Sequence, residues 1–221
     1  MPDSTSLKMD NNVAVTMRDG VVLYADIYRP DGEGPYPTIL QRTPYDKTNS
    51  LSNTMLDPIR AAKAGFAVVI QDTRGRHASE GEFYAFRDDI DDGYDTVEWA
   101  AAQPWSNGKV GMYGASYVGA TQWLAATSRP PHLMTIIPTV TASNYHDGWT
   151  YQGGAFELGF NLSWTLLQLT LANFKNVSGV QNVPQERRAD LIHDVDNMTE
   201  GFSYLPTKDF PGLDSGLAKY Y

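Results

Sequence analysis

Val110-Gly111-Met112-Tyr113-Gly114-Ala115-Ser116-Tyr117-Val118-Gly119 joins two kinds of periodicity in ten residues. Val110–Tyr113 reads as a short buried strand, and Tyr117 to about Thr127 has helical spacing. The chain must bend sharply between them, and the small residues around the bend let strand and helix backbones approach closely. A serine at such a turn either is held with its hydroxyl exposed above the sheet or simply caps the helix.

Upstream, Phe66-Ala67-Val68-Val69-Ile70 is a continuous apolar run, the mark of a strand buried on both faces. Asp88–Ala102 is helical, and its acidic start suits the positive end of a helix dipole. Thr38–Arg42 and Leu133–Val140 read as further strands. Asn53–Ala64 reads as a helix, with Pro58 a weakness inside it and Gly65 its stop. Strands alternating with helices imply right-handed crossovers and a mostly parallel sheet, hence an α/β fold. Val13–Met17 and Val21–Tyr28 meet across Asp19-Gly20, a hairpin signal that adds antiparallel edge strands.

Three segments follow. Residues 1–12 are polar and expected to be disordered. Residues 13–143 form the N-terminal part of the α/β core. Residues 144–221 read as a helical cap or lid, with helices expected at Phe156–Phe174 and Gln185–Met198.

The 221 residues are 42% hydrophobic and 19% charged, a globular composition. A net charge of -9 without a basic stripe argues against nucleic acid as a partner. No apolar run is long enough to cross a bilayer, and the first residues have no apolar leader core. Zero Cys excludes disulfides, thiolate metal sites and a Cys nucleophile. A cytoplasmic protein without membrane contact is expected; oligomeric state is not legible. Asp88-Asp89-Ile90-Asp91-Asp92-Gly93 looks calcium-like, but Ile90 and Trp99 stand where oxygen ligands would be needed. No His pair has zinc spacing, so neither metal nor cofactor is expected.

The chain resembles the cocaine-esterase and X-prolyl dipeptidyl-peptidase family of serine hydrolases. The matching stretches are R-T-P-Y-D-K at 42–47, Q-D-T-R-G-R at 71–76 and S-E-G-E-F at 79–83. They continue with D-G-Y-D-T-V-E-W at 92–99, Q-P-W-S-N-G-K-V-G-M-Y-G-A-S-Y-V-G at 103–119 and T-A-S-N-Y-H-D-G-W-T-Y at 141–151. The likeness runs from about residue 13 to about residue 165. It implies an α/β-hydrolase core, with Ser116 as nucleophile and the Tyr117 amide and Tyr45 hydroxyl as the oxyanion hole. The general hydrolase pattern has Gly two residues after the serine, where this chain has Val118. The family pattern, Gly-x-Ser-Tyr-x-Gly, accommodates it. His77 stands where the family would have Gly.

A serine nucleophile needs a base and an orienting carboxylate. After Ser116 the histidines are His132, in a loop before a strand, His146, adjacent to Asp147, and His193. His193 alone has an acid between it and Ser116, either Asp147 or Asp190, but it lies on a polar helix face. The resemblance places the triad acid and His after the cap, on returning strands, followed by a β-sandwich. The sheet is therefore expected to be incomplete here, with the triad Asp and His outside this chain.

Trp149, Tyr151, Phe156, Phe160 and Trp164 either line an acyl or aryl pocket or form the cap's own core. Glu157 either recognises a substrate amine or is a helix-start carboxylate. The expected activity is hydrolysis of a small-molecule ester or peptide through an acyl-enzyme. Ester cleavage, X-prolyl dipeptide release and acylase activity on β-lactam side chains are not separated by these residues. The rival is a catalytically inactive truncated fragment.

Overall fold

The computed structural model describes residues 6–49, 55–170 and 185–214. The chain divides into two compact units, Met1–Thr141 and Ala142–Tyr221, each taken by itself below.

In the first unit, β1 (Leu7–Thr16) and β2 (Val22–Pro30) pair antiparallel through the turn at Asp19-Gly20. Gly20 has φ +88°, a conformation that glycine adopts without steric cost. Strand β1 starts at Leu7, so the disorder expected for 1–12 does not extend over its second half. Those residues are polar because they form an edge strand, whose outward face needs no apolar side chains. The register shifts between Asp10 and Val13, where the Asn12 amide donates to Asp26 Oδ1 at 2.8 Å. Met1–Thr5 lie outside the described residues.

Next come β3 (Tyr36–Thr43), β4 (Ala67–Asp72), β5 (Ser106–Ala115) and β6 (Leu133–Thr139). The sheet order is β1-β2-β4-β3-β5-β6. Strand β2 is antiparallel to β4, and β4, β3, β5 and β6 are mutually parallel. All six residues of β4 are buried, the apolar Ala67–Ile70 together with Gln71 and Asp72. Its Val68 and Ile70 pack with Ala61 of helix α1 (Pro58–Lys63) on one side of the sheet. Its Ala67 and Val69 belong to the larger core with Val97, Ala100 and Ala125 of α2 (Asp89–Ala101) and α3 (Tyr117–Thr127). Pro58 does not weaken α1. It opens the helix just after the Asp57 cap, where a missing N–H costs nothing. Asn53 and Thr54 of the expected helix lie outside the described residues.

Strand β6 is last in the order and pairs only with β5 among the described residues. Met134, Ile137 and the adjoining Val140 are exposed.

The second unit has a two-stranded hairpin, Tyr151–Gln152 with Ala155–Phe156, that the sequence reading did not anticipate. Helix α4 (Leu158–Trp164) runs into a π-helical turn at Thr165–Thr170. Leu171–Phe174 of the expected helix lie outside the described residues. Further helices span Gln185–Asp196 and Met198–Ser203. Leu162, Leu166 and Phe210 form the buried centre of this unit.

Candidate active site

Ser116 sits between β5 and α3 with φ 58° and ψ -128°. This backbone conformation costs a residue with a side chain about 1–3 kcal/mol. The surroundings hold it there. The Ser116 amide donates to Thr139 O at 3.0 Å, and its carbonyl accepts from Gly119 and Ala120. Gly114, at φ +141°, has no room for a Cβ because Val118 fills that space. At Gly119 a Cβ would lie 2.7 Å from Thr141 Cγ2, beyond the end of β6. The close approach of helix to sheet therefore falls three residues after the serine. The position two after it has room for Val118, packed over Gly114.

Tyr117 is buried, and its hydroxyl makes two bonds of 2.7 Å. It donates to Asp89 Oδ2 and accepts from the Phe86 amide. The Phe86 ring stacks on it at 4.5 Å. Asp89 in turn takes Arg42 Nη1 at 3.0 Å, and Arg42 Nε donates to Gln71 Oε1. Burial raises the Asp89 carboxyl above its ordinary range, opposed by Arg42 and the Tyr117 hydroxyl. The first residue of α3 is thus anchored through its side chain while its amide stays at the elbow. Nothing in the spacing of Arg42, Asp89 and Tyr117 signalled this link. Only the β-sheet and α2 bring them together.

Tyr45 follows β3, the neighbour of β5. In the parallel register Leu40 lies opposite Met112, so Thr43 is level with Ala115 and both loops emerge at the same sheet edge. The Tyr45 and Tyr117 rings meet edge-on at 6.4 Å. The Tyr45 amide donates to Thr43 Oγ1. The Pro44 carbonyl accepts from Arg76 Nε at 3.0 Å and bonds His77 Nε2 at 3.1 Å. Just beyond, the Lys47 amide donates to Asp72 Oδ1 at 2.8 Å, and Lys47 Nζ pairs with Asp72 Oδ2 at 3.3 Å, both side chains buried. Burial raises the Asp72 carboxyl, with Lys47 opposing. Burial also pushes the Arg76 guanidinium down to about 10, offset in part by Tyr117, Tyr45 and Asp72.

The other histidines are placed as follows. His132 bonds Glu98 at 2.7 Å just before β6, at the end of the sheet opposite Ser116. In the second unit His146 stacks on Tyr151 and His193 is exposed beside Asp194.

Trp149, Phe160 and Trp164 form one aromatic chain, and Tyr151 and Phe156 pair separately. None belongs to the Leu162, Leu166 and Phe210 core, and Phe156 and Phe160 are exposed. Glu157 immediately precedes α4 without capping it through its side chain.

The calcium-like run is met by arginines. Asp88 pairs with Arg87, Asp89 with Arg42, Asp91 with Arg18, and Asp92 with Arg74. No acidic or histidine cluster able to hold a metal occurs among the described residues. None of the helices there is long and apolar enough to cross a membrane.

A strained serine between a parallel strand and a helix, on this strand order, is the α/β-hydrolase arrangement. The chain belongs to the X-Pro dipeptidyl-peptidase (S15) family, whose model matches residues 19–204. It is 46% identical over 160 residues to the cocaine esterase of Rhodococcus sp. (strain MB1 Bresler), covering 71% of this chain and 28% of that protein. Among solved structures it resembles a CocE/NonD family hydrolase from Staphylococcus aureus, with TM-score 0.68 and 30% identity over 85% of this chain and 36% of the other. It also resembles an α-amino acid ester hydrolase, with TM-score 0.59 and 30% identity over 75% of this chain and 30% of the other. The chain thus spans little more than a quarter of the cocaine esterase it matches.

Proposed function

We propose that the protein is a serine hydrolase that cleaves carboxylic esters or amides through an acyl-enzyme. The observation that carries this reading is Ser116, held at φ 58° between β5 and α3, followed by Tyr117, whose ring the Tyr45 ring meets edge-on. Ser116 Oγ attacks the substrate carbonyl as a base removes its proton. The oxyanion accepts hydrogen bonds from the Tyr117 amide and the Tyr45 hydroxyl, each worth about 3–4 kcal/mol in comparable sites. The tetrahedral intermediate expels the alcohol or amine, and water hydrolyses the ester formed on Ser116. The base and its orienting acid come from residues outside those placed here. Ester substrates are favoured over X-prolyl peptides, because the identity to an esterase is 46%.

A fluorophosphonate probe tests the nucleophile. It should label the full-length protein at Ser116 and nowhere else. Labelling that persists in Ser116→Ala would remove the assignment.

A further inference from the structure

We infer that His77 is a positioning residue for Tyr45, gripping the chain on both sides of it through the Pro44 carbonyl and the Asp46 carboxylate. This rests on the reading of Tyr45 as an oxyanion donor. Catalysis by such a donor depends on the phenol standing where charge will develop, so the loop that carries it must be fixed before substrate arrives.

His77 Nε2 lies 3.1 Å from Pro44 O, and Nδ1 lies 3.8 Å from Asp46 Oδ2. A carbonyl oxygen only accepts, so Nε2 must carry a proton. In the neutral ring Nδ1 is then a lone pair facing a carboxylate. In the imidazolium it carries a proton, and the Asp46 contact becomes attractive. The grip therefore holds one side of Tyr45 when neutral and both when charged.

The partners are set for this. Asp46 has φ +81°, a costly conformation for a residue with a side chain, which persists only when surrounding contacts hold it. Its carboxyl sits below the ordinary range. Burial opposes that, but the Thr48 hydroxyl and amide, His77 and Lys47 outweigh it, so the anion persists through the imidazole range. The other charged groups nearby are Asp72 on β4, Asp26 on β2, Lys47, which pairs with both, and Arg76, which shares the Pro44 oxygen and lies over the Phe83 ring.

His77 itself has φ +50°. Glycine takes that conformation freely and asparagine tolerates it, so both replacements spare the backbone. Steady-state kinetics of the full-length protein on a small aryl ester would compare parent, His77→Gly, His77→Asn and Tyr45→Phe. His77→Gly should lower kcat about three- to tenfold with KM unchanged. His77→Asn, which can still donate to Pro44 O, should recover part of the loss. His77→Gly should cost nothing further in a Tyr45→Phe background. A loss confined to KM, or one that persists in full in the Tyr45→Phe background, would overturn the inference and leave Tyr45 its role. If Tyr45→Phe keeps full kcat, the oxyanion reading fails, and the inference fails with it.

Discussion

Ser116 combines a reactive group with a strained backbone, and small residues on either side make that conformation possible. Gly119 shows how little space there is, since an added methyl would meet Thr141 Cγ2 at 2.7 Å and Thr141 Cβ at 2.9 Å. Gly119→Ala should therefore displace α3 from the sheet. Overpacking of this kind costs about 1–3 kcal/mol. The variant should unfold at lower urea and react more slowly with a fluorophosphonate. An unchanged urea midpoint would show that the contact relaxes without cost. The strand-to-helix turn that carries Ser116 and Tyr117 was legible in the sequence because it is a local motif, whereas Tyr45 stands out only through the family resemblance. His77 stands out in the sequence only as a departure from the family's Gly. Its partners are 33 and 31 residues earlier in the chain, and no periodicity connects them.

Among the elements, α2 and α3 are tied to the sheet by buried charge as well as by apolar contact. Arg42 on β3, Gln71 on β4, Asp89 on α2 and Tyr117 on α3 form one hydrogen-bonded chain. Tyr117→Phe would leave Asp89 Oδ2 and the Phe86 amide without that hydroxyl. The expected loss at neutral pH is about 2–3 kcal/mol, the scale of a buried bond to a charged group. The loss should depend on pH with a definite sign. Burial raises the folded Asp89 carboxyl above its unfolded value, so its contribution is complete below that value and is lost as pH rises through the folded one. Removing the hydroxyl raises the carboxyl further. Urea titrations at about pH 4 and pH 7 should show the Tyr117→Phe deficit growing with pH. A deficit equal at both would mean that the hydroxyl supports Phe86 alone. The acidic start of α2 was legible as a favourable helix beginning. Its matching by arginines from the β1–β2 turn, β3 and the β4–α2 loop was not, because those partners arrive only as the sheet assembles.

At the scale of the molecule, β6 pairs only with β5 among the described residues, and its Met134 and Ile137 and the adjoining Val140 are exposed. Unpaired strand edges of this composition associate with other chains. The 221-residue chain taken alone should elute from size exclusion as oligomers at micromolar concentration and bind a hydrophobic dye. A sharp monomeric peak with a cooperative thermal transition would show that this edge is tolerated.

The alternation of buried strands with helices, the hairpin at Asp19-Gly20 and the serine turn at 114–119 were determined by the sequence itself. Each depends on residues within a dozen positions of one another: apolar periodicity, turn chemistry and small residues around a bend. Local chemistry also misled where it was ambiguous. Polar residues 7–12 suit a disordered tail as well as an edge strand, and pairing with β2 resolved them as a strand. Pro58 suits a broken helix as well as a helix start, and the Asp57 cap settled which. The Arg42–Asp89–Tyr117 chain and the His77 grip on Pro44 and Asp46 belong to the folded state alone. They join groups 28 to 47 residues apart, and buried charges find partners only when packing removes the water that would otherwise solvate them.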